Sequence, residues 1–119
     1  MRKWIKKYKD KKELKKSNWG REYGWHIEYK GIIIGELINC EWMDMFWDTY
    51  IIKARDEKWN KILTEPIYWD NFKFKNQHYN QYAIYGFPGG GYEAEIKLNK
   101  RISMRGLYLT EIKTIHNKT

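Results

Sequence analysis

Between Gly24 and Ala54 the chain reads GWHIEYKGIIIGELINCEWMDMFWDTYIIKA, and its first part alternates strictly: Trp25, Ile27 and Tyr29 against His26, Glu28 and Lys30. A period of two belongs to a strand with one face buried. Lys30-Gly31 then supplies a two-residue turn, because glycine accepts the positive φ that primed hairpin turns require. Closing the hairpin there pairs Tyr29 with Ile32 and Ile27 with Ile34, so the apolar side chains share a face. A slip of one residue would send Ile32 and Ile34 to the other face. In this register His26 lies opposite Gly35 on the reverse face, with Glu28 two residues along.

The pattern continues unevenly. Asn39 to Met45 lacks alternation and reads as a single helical turn with Asn39 as N-cap. Phe46 to Lys53 alternates again and reads as a third strand, followed by a charged connection from Arg55 to Lys61. Pro66 is compatible with a strand start, and Ile67 to Lys75 has strand character with Tyr68, Phe72 and Phe74 on one side. Asn76 to Asn80 is a polar turn, Gln81 to Phe87 a short strand, and Pro88-Gly89-Gly90-Gly91 a loop. In the final stretch Tyr92, Ala94, Ile96 and Leu98 alternate with Glu93, Glu95 and Lys97. A three-residue loop, Asn99-Lys100-Arg101, would pair Leu98 with Ile102 and Ile96 with Met104, placing Glu95 opposite Arg105. A final half-strand is expected around Ile112 and Ile115.

Six or seven short strands with no βαβ spacing predict a mainly β fold, α+β at most. The expected architecture is one antiparallel, strongly curled sheet or small barrel with a short basic N-terminal arm or helix. At 119 residues the chain forms one domain of this kind (17–119) behind an arm (1–16).

Charge divides along the same boundary. Residues 1–16 carry nine basic and two acidic side chains, a net +7; the remaining 103 carry 14 basic and 13 acidic, a net +1. The overall excess of +8 therefore describes the arm and says little about the body. Trp4, Ile5 and Tyr8 give the arm a one-turn apolar stripe from which Leu14 falls away, and Ser17-Asn18-Trp19-Gly20 breaks any helix. The arm reads as a solvated basic segment or as a phosphate-contacting one through Lys3, Lys6, Lys7, Lys11, Lys12, Lys15 and Lys16, with a membrane-surface helix a minor reading because the apolar face is narrow.

Cys40 is the chain's one cysteine, which excludes an internal disulfide and fits a reducing compartment. No apolar h-region follows the basic start, and no run approaches the ~20 apolar residues that span a bilayer. A soluble, cytoplasmic protein, monomeric or weakly dimeric and without membrane attachment, is expected. One cysteine and three widely spaced histidines match no zinc pattern, and the triple glycine lacks the Gly-Lys-Ser/Thr of a phosphate loop, so neither metal nor cofactor is expected.

A minor reading is catalytic: His26 and Glu28 at i, i+2 on one strand face, with His78 and Arg101 or Arg105, resemble in kind the groups of a metal-independent ribonuclease. The aromatic surplus is more informative. Seven tryptophans and ten tyrosines exceed what one sheet face can bury, and these residues dominate protein-interface hot spots and also stack on unpaired bases. The leading expectation is a small non-enzymatic protein that binds and inhibits or neutralises another protein, of the immunity or anti-defence kind, through Trp47, Trp69 and Tyr85. The alternative is a nucleic-acid-binding module with the arm on phosphates and sheet aromatics on bases.

Overall fold

Six antiparallel strands form one strongly curled half-barrel sheet in the computed structural model, which describes residues 9, 11–43, 47–90, 93 and 95–111. The strands are β1 (Trp25–Tyr29), β2 (Ile32–Trp42), β3 (Trp47–Ala54), β4 (Phe72–Asn76), β5 (Phe87–Pro88) and β6 (Arg101–Arg105), in the spatial order β4-β1-β2-β3-β6-β5. Two short helices accompany them, α1 (11–16) and α2 (Asn60–Thr64). Expectations resting on Lys3, Trp4, Ile5, Lys6, Lys7, Tyr8, Phe46, Gly91, Tyr92, Ala94, Ile112 and Ile115 lie outside the described residues.

The β1–β2 hairpin turns at Lys30-Gly31, with φ of 50° and 82°, and pairs Tyr29 with Ile32 as its sequence dictates. Its second half departs from the expected register. A bulge at Ile34, between the Glu28–Ile33 and Ile27–Gly35 pairs, sets Ile27 opposite Gly35 and His26 opposite Glu36, so Ile34 and Gly35 are buried in succession. The cause is a close approach from two sides. A Cβ on Gly35 would stand 2.6 Å from the Lys53 carbonyl oxygen and 3.1 Å from Leu63 Cδ1. β2 then continues through Asn39–Trp42, where a helical turn was expected. A second bulge between Ile38 and Glu41 absorbs the broken alternation, with Asn39 at φ 53°, a conformation asparagine tolerates.

β3 turns Asp48, Tyr50 and Ile52 inward. The connection that follows is helical where a charged loop and then a strand were expected. The Asp56 side chain accepts from Lys58 N at 3.2 Å and opens a 3-10 turn leading into α2. Pro66 starts a second 3-10 segment, Pro66–Asn71, where its missing N–H is no loss. These turns bury Leu63 and Trp69, the Trp69 indole donating to the Leu63 carbonyl at 3.0 Å.

Gln81–Phe87 is not one strand. Asn76 N to Gln81 O (2.7 Å) and Ala83 N to Phe74 O (2.8 Å) hold its start against β4; its end becomes β5 on the far side of β6. Residues 81–88 thus form a strap joining the two edges of the half-barrel. Where it crosses, a Cβ on Gly86 would lie 2.5 Å from Leu107 and 2.8 Å from Phe74, so only glycine fits.

The expected C-terminal hairpin does not form. β6 pairs with β3, Tyr50 opposite Ile102, and with β5, Phe87 opposite Arg105. Leu98 therefore has no ladder partner in Ile102, and Glu95 is paired with Lys97 at 3.3 Å, not Arg105. Instead residues 96–100 dock on the end of β3: Ile96 is buried, Asn99 N donates to Ile52 O at 2.8 Å, and Ile52 N donates to Lys100 O at 3.3 Å. Of that alternation, Ile96 and Leu98 face the core without a neighbouring strand.

Trp25, Ile27, Ile34, Leu37, Tyr50 and Ile52 fill the centre of the curl. Leu14, which falls off the arm's apolar stripe, is itself fully buried in this core. The helix stops just beyond it, as expected, with Asn18, Trp19 and Gly20 all at positive φ. Ser17 caps the turn, its hydroxyl donating to Leu14 O (3.0 Å) and accepting from Gly20 N (3.2 Å).

Candidate functional site

Alternation along β3 and β6 that sends Tyr50, Ile52, Ile102 and Met104 inward must send Trp47, Thr49, Ser103 and Arg105 outward. On that outer face Trp47 and Phe87 meet edge to face at 6.0 Å, on either side of Arg105 in the register. Tyr85 stacks on Phe87 at 5.7 Å with the rings 11° from parallel. A Cβ on Gly106 would stand 2.4 Å from the Tyr85 ring, so that glycine makes the seat for it. Met43 extends the patch, its sulfur accepting from the Ser103 hydroxyl at 3.5 Å. Tyr85 and Phe87 are more than two-fifths exposed, Met43 and Ile84 more than half. Four of the exposed large apolar residues, Tyr82, Ile84, Tyr85 and Phe87, lie on the strap.

The strap's first half is anchored differently. The Tyr82 hydroxyl donates to Glu28 Oε1 at 2.6 Å, and the Lys73 and Lys75 ammoniums stand 5.9 and 5.7 Å from its ring centre. Phe72, Phe74, Tyr82, Ile84 and Tyr85 line an open groove of about 300 Å³ between these two halves.

Of the residues singled out from sequence, Trp47 and Tyr85 come together and Trp69 does not join them. Trp69 is 3% exposed, tilted against Phe72 at 5.1 Å, and serves as a core residue. Phe87, the ring joining Trp47 to Tyr85, was not selected, nor were Met43 and Ile84. The run Tyr82–Phe87 carried a usable signal: Ala83-Ile84-Tyr85 places apolar residues on both sides of any extended chain, so some must face outward.

The catalytic set is dispersed. Glu28 is engaged by Tyr82, and His78 stacks on Tyr23. Arg101 binds Glu41 at 2.8 Å and the Asn39 carbonyl. β2 and β3 separate β1, which carries His26 and Glu28, from β6, which carries Arg101 and Arg105. Among the described residues no group of three or more His, Cys, Asp or Glu side chains is placed to hold a metal ion.

A polar cluster lies inside the curl. The Trp25 indole donates to the Tyr50 hydroxyl (3.2 Å), which donates to the Arg21 carbonyl (3.1 Å), while the Arg21 guanidinium pairs with buried Asp48 at 3.3 Å. Burial pushes the Cys40 thiol up to about 11 despite the Tyr50 hydroxyl beside it, and burial and then Cys40 raise the Tyr50 phenol as well. A thiol held protonated is a poor nucleophile, so this cluster ties β1, β2 and β3 to the 3-10 turn Arg21–Tyr23.

On α1, Lys11, Lys12, Lys15 and Lys16 are exposed around the inward Leu14. No helix of the described residues is long and apolar enough to cross a membrane. Comparison with protein-family models, curated proteins and solved structures finds no match.

Proposed function

We propose that the chain is a non-enzymatic protein-binding domain of the inhibitor or immunity type, and that it engages its partner through the outer aromatic face built on Trp47, Phe87 and Tyr85. The supporting observation is the arrangement of those rings. Three aromatic side chains pack on one another at 5.7 and 6.0 Å, with Met43 exposed beside them on Ser103. Rings held this way lose little side-chain freedom when covered, which is what makes Tyr and Trp effective interface anchors. The body's near-neutral charge suits a contact made by apolar area more than by field.

The test is affinity capture from the native cell with nuclease present, comparing the native chain with Phe87→Arg. A partner retained by the native chain, lost by the variant, and then reconstituted from purified components supports the reading. Tyr85→Ala in the purified pair should weaken binding by about 2 kcal/mol. Capture that disappears with nuclease, or that Phe87→Arg leaves intact, overturns it.

A further inference from the structure

A second surface, remote in sequence from the first, joins charge to an exposed ring stack. Tyr23 and His78 lie face to face, centroids 4.1 Å apart and planes 20° from parallel, with both side chains exposed. Tyr79 buttresses the pair edge-on, 5.5 Å from Tyr23 and 4.7 Å from His78. One buried side chain clamps this stack to the end of α1. The Asn76 amide donates to the Gly20 carbonyl at 2.7 Å, and its carbonyl oxygen accepts from His78 N at 3.0 Å and Tyr79 N at 2.9 Å. Gly20 in turn is bonded to Ser17, the residue that ends the helix.

Leu14 fixes the helix about its axis by turning fully into the core. Tyr79 feels Ser17 and Glu13, which places the Glu13–Ser17 line of the helix toward the stack. Helical spacing then sets Lys9 and Lys16 beside that line, on the side away from Leu14, with Lys12 a further step round the helix and Lys11 and Lys15 behind. All five are exposed, and Glu13 is the acidic group among the described residues of this stretch.

We infer that the Tyr23–His78 stack together with Lys9, Lys12 and Lys16 forms a binding site for an unpaired nucleic-acid strand, a base stacking on the rings while the lysines take the neighbouring phosphates. Each component matches one chemical part of such a ligand: a π-face for a base of any sequence, and cations spaced one helical turn apart for the backbone. An anionic membrane suits the described surface less well, because Leu14, the apolar side chain of the described helix, points into the core. The site shares no residue with the aromatic face of β3, β5 and β6, so the two proposals stand or fall separately.

The experiment is fluorescence anisotropy of a labelled oligothymidylate with the full chain across roughly 20–200 mM salt. Three phosphate contacts should give a log–log slope near −2. Lys9→Gln/Lys12→Gln/Lys16→Gln should remove most of that slope, while Lys11→Gln/Lys15→Gln keeps it. Tyr23→Ala/His78→Ala should weaken binding about tenfold or more with the slope unchanged. Phe87→Arg should bind the oligonucleotide like the native chain. Circular dichroism confirms that each variant is folded. Absence of binding at the lowest salt, indifference to the ring variant, or equal losses for the two lysine variants would each overturn the site. So would binding of phosphatidylserine vesicles as tightly as the oligonucleotide with the rings removed.

Discussion

Glycines 35 and 86 occupy positions where the surrounding atoms leave no volume for a methyl group. Gly86→Ala must displace Leu107 and Phe74, both core residues, and should cost about 1–3 kcal/mol in urea unfolding. An unchanged midpoint would show that the strap does not seat where it is described. Cys40 makes a prediction in pH. Its thiol is lifted from near 9 to about 11, and Tyr50 is raised in the same direction. Below pH 9 both groups are protonated in the folded and the unfolded chain, so neither affects stability. As pH rises through 9 the unfolded chain releases protons that the folded one retains, and stability falls until the folded thiol ionises near 11. Urea midpoints measured at pH 7.5 and 10.5 should therefore decrease, and Cys40→Ser should reduce the decrease. The folded chain should also react with iodoacetamide at pH 8 far more slowly than after denaturation.

At the level of elements, α1 is where the boundary between arm and body matters. Leu14→Ala should destabilise by about 2–5 kcal/mol, while Lys11→Ala should fall within about 0.5 kcal/mol of the native chain, both read by thermal unfolding. Equal, small effects would mean the helix is not docked. Trp69→Ala and Phe87→Ser offer a parallel contrast: the first should cost about 3–5 kcal/mol of stability, and the second much less, because Trp69 is buried and Phe87 is 41% exposed. These contrasts also mark how far the sequence could be read. The Tyr29–Ile32 pairing was legible because alternation and a two-residue turn are local facts. The bulges at Ile34 and Asn39 were not, since one answers to the Lys53 carbonyl and Leu63 and the other to pairing with β3. Ile96 and Leu98 do turn inward as their alternation implied, but a pattern names a buried face and not the neighbour that covers it. For the same reason the aromatic surplus pointed to Trp47 and Tyr85 yet could not separate them from Trp69, whose ring was claimed by α2 and β4.

Seen whole, the sheet is an open curl whose edges are managed by a single segment. Residues 81–83 shield β4, and β5, with Pro88 in it, covers β6. Opening of the strap should precede loss of the central strands, so amide exchange at Ala83 and Gly89 should run ahead of that at Trp25, Leu37 and Ile52. A uniform rate across these positions would mean that strap and sheet open together. The strap's double duty has a consequence for the solution behaviour of many molecules at once. Because one segment guards both margins, displacing it would bare two complementary strand edges on the same molecule, the geometry that builds head-to-tail polymers. Weakening that seal, as Gly86→Ala should, would then show itself first as concentration-dependent fibre growth, before the individual chain had lost its fold.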